Sequence, residues 1–460
     1  MGTRFVTPRP ALWVCTAAVL LAVSVSPMAL QVAGIYYDSE GGNPVVKLHP
    51  ASYVTVIAFC IYVFSRIRKS GGLEDWVRQR GWLLFYVISG IAVVGYELVV
   101  HGTPGMGLLI DSFVIPSILV SILIDAPIGY RRKLTGLVAA LLIMNALVGL
   151  GELALHSRVF PYRLAGKVIV EDYFRPTAFG GHPVNNAMMS AAALIALVVL
   201  PWPLMIRLVS ATILFLSLVA FGVRLPFFVG VVAAAALAAW ELDKFVRRSG
   251  SALGRVAWAS AMLAGAGIVA VTAVFVETNF GARFRNASNA SFSDASTAGH
   301  LQVLDIFDRV NLVDLLGGYS WDELLDLRLA SHVIAIESFW IIILLYIGLL
   351  AFIIWTVGFF GGLRYIFRYT NGAGRLIICC VLLMASVNVS LASKGTLLDV
   401  IFALALGTGL ACAGQRPTPR SSLAPRGSPA ITLPASPRVM SETEMGAGRR
   451  LEKYSNPCRE

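Results

Sequence analysis

Charge is what this chain has least of. Only 14% of its 460 residues are Asp, Glu, Lys or Arg, where a soluble domain carries about 25%, and 57% are hydrophobic. So little polar surface excludes a large water-soluble core as the main organising unit and leaves a multi-pass membrane protein. Cysteine is sparse as well. Cys15, Cys60, Cys379, Cys380, Cys412 and Cys458 all fall in apolar runs or in the terminal tail, so neither a disulfide framework nor a spaced thiolate site follows. The six histidines, His49, His101, His156, His182, His300 and His332, form no short ligand repeat, and no metal is expected. No glycine-rich loop leads into Gly-Lys-Ser, since GGYSW at Gly317 does not, so neither ATP nor any other cofactor is implied. The formal charge of +11 does not argue for nucleic acid, because the basic residues lie in short loops where membrane topology accounts for them.

Long apolar runs are what the chain has in abundance. They lie at about 11–30, 50–64, 82–100, 105–124, 134–151, 187–201, 204–221, 226–240, 256–276, 333–357, 376–391 and 396–414, most of them near the length of about 17–25 residues that crosses a bilayer as a helix. The expected fold is all-α, a polytopic integral membrane protein with about twelve transmembrane helices. Short segments such as 226–240 are open to a re-entrant or tilted reading. The first run follows Arg4 and Arg9 and reads as a retained span rather than a cleaved signal.

Basic residues collect in alternate loops, as a correct span placement requires. With the N-terminus in the cytoplasm, the inner loops hold Arg66, Arg68, Lys69, Arg78 and Arg80, then Arg131, Arg132 and Lys133, then Lys244, Arg247, Arg248 and Arg255, then Arg364, Arg368 and Arg375. The membrane domain is expected to cover 1–414, and the Pro- and Ser-rich 415–460 reads as a disordered cytoplasmic tail. The longest outward loop, 277–332, carries HLQVLDIFDRVNLVDLLGG, whose apolar spacing predicts one or two amphipathic helices or a partly buried lid.

A second set of positive charges shares the outward side: Arg158, Arg163, Lys167, Arg175, Arg224, Arg283, Arg285, Arg309, Arg328 and Lys394. Loop asymmetry does not explain them, so they need a function or local neutralisation. FRPTAFGGHPVNNA at Phe174 to Ala187 is the densest polar element. Gly180 and Gly181 predict a tight turn feeding a helix, with Pro183 at an early helical position and Asn185 in the first turn. Such a start suits an anion; the alternative is an interfacial turn in which Arg175 meets lipid headgroups and His182 caps a neighbour. Arg224, in FGVRLPFF, either snorkels from a span end or serves a site. Lys394, in NVSLASKGTLLDV, is an anion contact or a topological marker. His300 follows SFSDASTAG and is either a general base or a surface histidine. Glu337, one turn inside a span, is placed to hold an outward arginine.

Taken in order, KLHPASY at Lys47, FRPTAFGGHPVNNA, FGVR at Phe221, SDASTAGH at Ser293, AIESFWIIILLYIGLL at Ala335 and ASKG at Ala392 resemble the bacterial O-antigen polymerase and O-antigen ligase superfamily, in its exopolysaccharide biosynthesis branch. The resemblance spans about 47 to 400. It implies a bacterial inner-membrane glycosyltransferase, with both termini cytoplasmic and its site on the periplasmic face. Its substrate would be an undecaprenyl-pyrophosphate-linked oligosaccharide, and no metal or nucleotide would be needed. Membrane lipids, a chain-length regulator and export proteins are the implied partners. On that reading Arg175 and Arg224 grip the pyrophosphate, Arg309 and Lys394 add field, and His300 and His182 compete as the base, with Gly181, Pro183, Asn185 and Glu337 in support. Related sequences tend to carry arginine where this chain has His300, which exchanges a permanent charge for a titratable one. A ligase with a different acceptor and a non-enzymatic transporter of polyprenol-linked glycans are the alternatives.

Overall fold

The computed structural model describes residues 7–35, 37, 43–68, 72–161, 163–164, 167–168, 174–249, 265, 270, 303–331, 333, 336, 338–388, 391 and 394–409. The expected span 256–276, the expected tail 415–460, and both His300 and Glu337 lie outside the described residues, or nearly so for the span.

The chain is a mostly helical, polytopic membrane protein. Seven of its described helices are long and apolar enough to cross a bilayer: Pro50–Ile67, Gly81–Val100, Met106–Ile124, Ile128–Leu155, Leu204–Phe221, Arg224–Lys244 and Phe339–Ile366. Shorter apolar helices cover Arg9–Ser24, Pro183–Val199, Gly372–Ala385 and Leu397–Gly407. The segment expected at 226–240 is longer than its apolar run, with the helix extending over Arg224–Ser249. Its terminal Lys244 and Arg247 are good helix formers and pair with Glu241 and Asp243 one turn earlier.

In chain order the helices are α1 (Arg9–Ser24), α2 (Pro27–Val32), α3 (Pro50–Ile67), α4 (Gly72–Gln79), α5 (Gly81–Val100), α6 (Met106–Leu109), α7 (Ile115–Ile124), α8 (Ile128–Leu155), α9 (Pro183–Val199), α10 (Leu204–Phe221) and α11 (Arg224–Ser249). After them come α12 (Leu312–Gly317), α13 (Trp321–Ala330), α14 (Phe339–Ile366), α15 (Gly372–Ala385) and α16 (Leu397–Gly407). A π-helical segment, Ile110–Val114, joins α6 to α7. A small antiparallel hairpin pairs Arg163–Leu164 (β1) with Lys167–Val168 (β2).

Many helix starts are written locally. Ser26, His49 and His182 each accept a backbone N–H two or three residues on and are followed directly by proline. That combination caps one orphan amide and places a residue that has none. Ser320 and Glu323 form a full capping box for α13.

Contacts between helix ends separate the bundle into two ends. At one, Thr7 bonds to the carbonyls of Asp125 and Ile122, and Arg131 reaches the carbonyls of Tyr369 and Leu406. We call this the basic end. At the other, the loop end, His49 Nε2 donates to Val25 O at 2.9 Å, Thr396 donates to Ala22 O at 2.7 Å, and Tyr346 donates to Pro104 O at 2.9 Å.

The apolar helix α14 is broken at Gly348, whose φ of 75° and ψ of 161° are not helical. The backbone at Gly317, Gly318 and Tyr319 lies directly against the break: Tyr319 N–H donates to Leu345 O at 2.8 Å, and a Cβ on Gly318 would meet Gly348 N at 2.7 Å. Two glycines at positive φ let the chains touch, and the loop amide satisfies a carbonyl in the broken stretch. The stretch that sequence periodicity made amphipathic thus becomes a 3₁₀ turn, Val303–Arg309, followed by α12 and α13.

Candidate functional site

FRPTAFGGHPVNNA is organised by two side chains of the apolar helix α8. The buried Glu152 carboxylate accepts N–H groups from Thr177 at 2.7 Å and Ala178 at 2.8 Å on Oε2, and from Val159 at 2.7 Å on Oε1. Asn145 Oδ1 accepts from Phe179 at 2.8 Å and Gly180 at 3.3 Å, while its Nδ2 donates to Asn186 Oδ1 at 3.0 Å. Asn186 in turn donates to Thr177 O at 2.5 Å. Residues 145 and 152 are two helical turns apart on one face, so the turn is bolted to a single stripe of α8. Ala178 is held at φ 40° by this array and Gly181 sits at φ 71°. A side chain at Gly181 would also come within 2.9 Å of Ser26 Cβ, so that glycine is needed both for backbone angle and for space.

The helix start is accordingly less open to an anion than its sequence suggested. His182 Nδ1 accepts the Val184 N–H at 3.2 Å, Pro183 has no N–H, and the amides at 177–180 are taken by Glu152 and Asn145. Used as a cap, His182 carries its neutral-form proton on Nε2. Asn185 is half-buried, and its Oδ1 has no hydrogen-bond partner among the described residues.

Arg175 and Arg224 are both half-buried. Arg158 Nε donates to Arg175 O at 3.0 Å and its guanidinium lies over the Phe174 ring at 5.0 Å. One turn of α8 receives both predicted motifs. A Cβ on Gly149 would lie 2.8 Å from the Phe221 ring and 3.7 Å from Pro176. The residue after Arg175 and the first residue of FGVR therefore meet on Gly149, and Arg224 begins the next helix three residues on. Lys394 Nζ donates to Tyr37 O at 2.9 Å and to Lys47 O, and lies 4.1 Å from the Tyr37 ring centroid. Arg309 is exposed at the end of the 3₁₀ turn that packs on α13.

Two further polar centres at the loop end were not singled out from sequence. Asp111, fully buried on the π-helical segment, accepts from Tyr37 Oη at 2.7 Å, Ser52 Oγ at 2.6 Å and the His49 N–H at 3.1 Å. A π-turn carrying a buried acid often marks function. Glu97, buried near the end of α5, holds His101 Nδ1 at 3.0 Å, an i,i+4 pair. Asp–His and Glu–His pairs of this kind orient an imidazole as a base. The signal was present as one acid in an apolar helix, four residues before a histidine.

No protein-family model matches this chain, and no curated protein matches it. Among the described residues no group of three or more His, Cys, Asp or Glu is placed to hold a metal ion, and Cys15, Cys60, Cys379 and Cys380 are free thiols.

Proposed function

We propose that this protein is a membrane glycan polymerase that moves a growing chain from an undecaprenyl-pyrophosphate carrier onto a second lipid-linked repeat. On this reading the loop end faces the periplasm, both termini are cytoplasmic, and 256–276 supplies one of about twelve spans. The observation that carries the proposal is the meeting of Pro176 and Phe221 on Gly149, which ties the Arg175 and Arg224 segments to one turn of one helix.

The chemistry asks little else of the protein. The acceptor hydroxyl oxygen attacks the anomeric carbon, the bond from that carbon to the pyrophosphate oxygen breaks, and the hydroxyl proton passes to a base. Guanidinium groups from Arg175 and Arg224 would balance the charge that builds on the pyrophosphate. Among the described histidines His101, oriented by Glu97, would take the proton, with His182 engaged as a cap; His300, the other candidate, lies outside the described residues. Both substrates are confined to one membrane, so orientation supplies much of the rate.

Reconstitution in vesicles with a defined lipid-linked repeat tests the proposal. Arg175→Ala and Arg224→Ala proteins should insert and unfold like the parent, yet form polymer slower by about 10²–10³-fold, the loss that follows removal of one transition-state donor. Normal chain growth in both would remove them from the site. Transfer to a distinct acceptor, with no lengthening, identifies the ligase. The broken helix at Gly348 favours a second reading, a transporter of polyprenol-linked glycans, because discontinuous helices recur in transporters. That reading predicts movement of the lipid-linked repeat across the vesicle with no new glycosidic bond.

A further inference from the structure

Five acids are buried among the described residues: Glu97, Asp111, Asp125, Glu152 and Asp399. The first four are bonded, to His101, to Tyr37 and Ser52, to Arg66 and Arg80, and to backbone amides. Asp399 is the exception. It lies in the first turn of α16 at 2% exposure, and neither carboxylate oxygen has a hydrogen-bond partner among the described residues. An ionised carboxylate stripped of water and given nothing in exchange is among the costliest groups a fold can hold, and a neutral carboxyl is far cheaper.

The surroundings reinforce the anomaly. Asp111 on the π-helical segment, Cys15 on α1 and the Tyr86 hydroxyl on α5 lie within electrostatic reach of Asp399. The Tyr86 hydroxyl is itself buried with no partner among the described residues. Of the cations on neighbouring elements, Arg131 on α8 reaches the far end of α16 at Leu406 O, and Lys394 is turned onto the Tyr37 and Lys47 carbonyls. Tyr130, also on α8, bonds to Thr16 and Leu12 O. The α9 helix carries no titratable side chain along Pro183–Val199, and α15 turns Cys380 inward. A bare metal cation needs several oxygen ligands, and among the described residues no such group of acids is assembled there. A proton needs one.

We propose that Asp399 is a proton-binding site inside the membrane, which holds its proton in the resting protein. Loss of that proton would set a negative charge within electrostatic reach of Asp111, whose hydrogen bonds gather Tyr37, His49 and Ser52 at the loop end. The site is independent of the glycan-transfer reading and stands whether or not that reading does.

A membrane-soluble carbodiimide tests it on the full-length protein in lipid nanodiscs. The carboxyl oxygen adds to the carbodiimide carbon as the carboxyl proton moves to its nitrogen, and an oxygen-to-nitrogen acyl shift leaves a stable N-acylurea, so only the protonated acid reacts. Peptide mass spectrometry should find the adduct on Asp399 and not on the ion-paired Asp125, and a water-soluble carbodiimide should leave Asp399 unmodified. Asp399→Asn keeps shape and neutrality and should unfold like the parent. It should also remove a protonated-carboxyl C=O stretch from the infrared spectrum, a readout that decides the matter where the reagent fails to reach the side chain. An infrared spectrum unchanged in Asp399→Asn overturns the proposal, and so does protection of Asp399 by sodium at fixed pH, which would assign the site to a metal cation.

Discussion

The helical rod Met106–Ile124 carries a buried aspartate near its start and another just past its end, and the two are held in opposite ways. Asp125, at the basic end, receives Arg66 at 2.5 Å, Arg80, and the Tyr62 hydroxyl. Asp111, at the loop end, receives the Tyr37 and Ser52 hydroxyls and one backbone amide. Guanidinium partners make the first a fixed rivet, because displacing any member strands a buried charge. Neutral donors hold the second, and the Lys394 ammonium lies within electrostatic reach of it. One helix is thus pinned by guanidiniums at the basic end and held by hydroxyls and a backbone amide at the loop end.

The sharpest way to break that comparison is Asp125→Ala, which leaves two buried guanidiniums facing each other and should cost about 3–5 kcal/mol in detergent unfolding experiments. A loss no greater than that of an exposed pair would mean the rivet is ornamental. Next is Ser52→Ala, which takes one hydroxyl donor from the buried Asp111 carboxyl and should cost about 1–3 kcal/mol in the same assay. The smallest effect is a pH dependence at His49. Burial, the dominant cause, holds its imidazole below the ordinary value of 6.5, with Nδ1 accepting the Ala51 N–H and Nε2 donating to Val25 O. The unfolded chain then binds the proton more readily, so stability is complete above pH 6.5 and declines as pH falls through and below it. Unfolding midpoints scanned over that window should flatten in His49→Gln, whereas a slope that persists would place the titrating group elsewhere.

The apolar runs and the His182-Pro183 helix start were legible in the sequence because they are local facts, whereas the break at Ser26-Pro27 inside the run 11–30 was not read. Residues 50–67, 81–100 and 204–221 needed only composition, and His182 with Pro183 announced a helix start that the fold places at that boundary. What stayed hidden depended on partners distant in sequence. A single glycine in FWIIILLYIGLL is ordinary in an apolar helix, and only the approach of Gly318 makes Gly348 a break. Asn145 and Glu152 are isolated polar residues in MNALVGLGELAL, and nothing local says that each holds amides some 25 to 35 residues later. The engagement of the 177–180 amides by Glu152 and Asn145 was equally invisible in FRPTAFGGHPVNNA. The Glu97 and His101 pair was readable from its spacing alone, but an acid inside a span drew notice only at Glu337.

The contact between Gly318 and Gly348 also constrains how the molecule is put together. A hydrophobic segment interrupted in mid-course exposes bare peptide to lipid until something arrives to cover it, and here the cover comes from residues that precede that segment in the chain. The stretch around Gly317–Tyr319 therefore behaves as a keystone rather than a detachable flap. A protease site or affinity tag inserted there would release α14 to straighten, whereas an insertion of equal length at the exposed Arg309 would leave the arch standing.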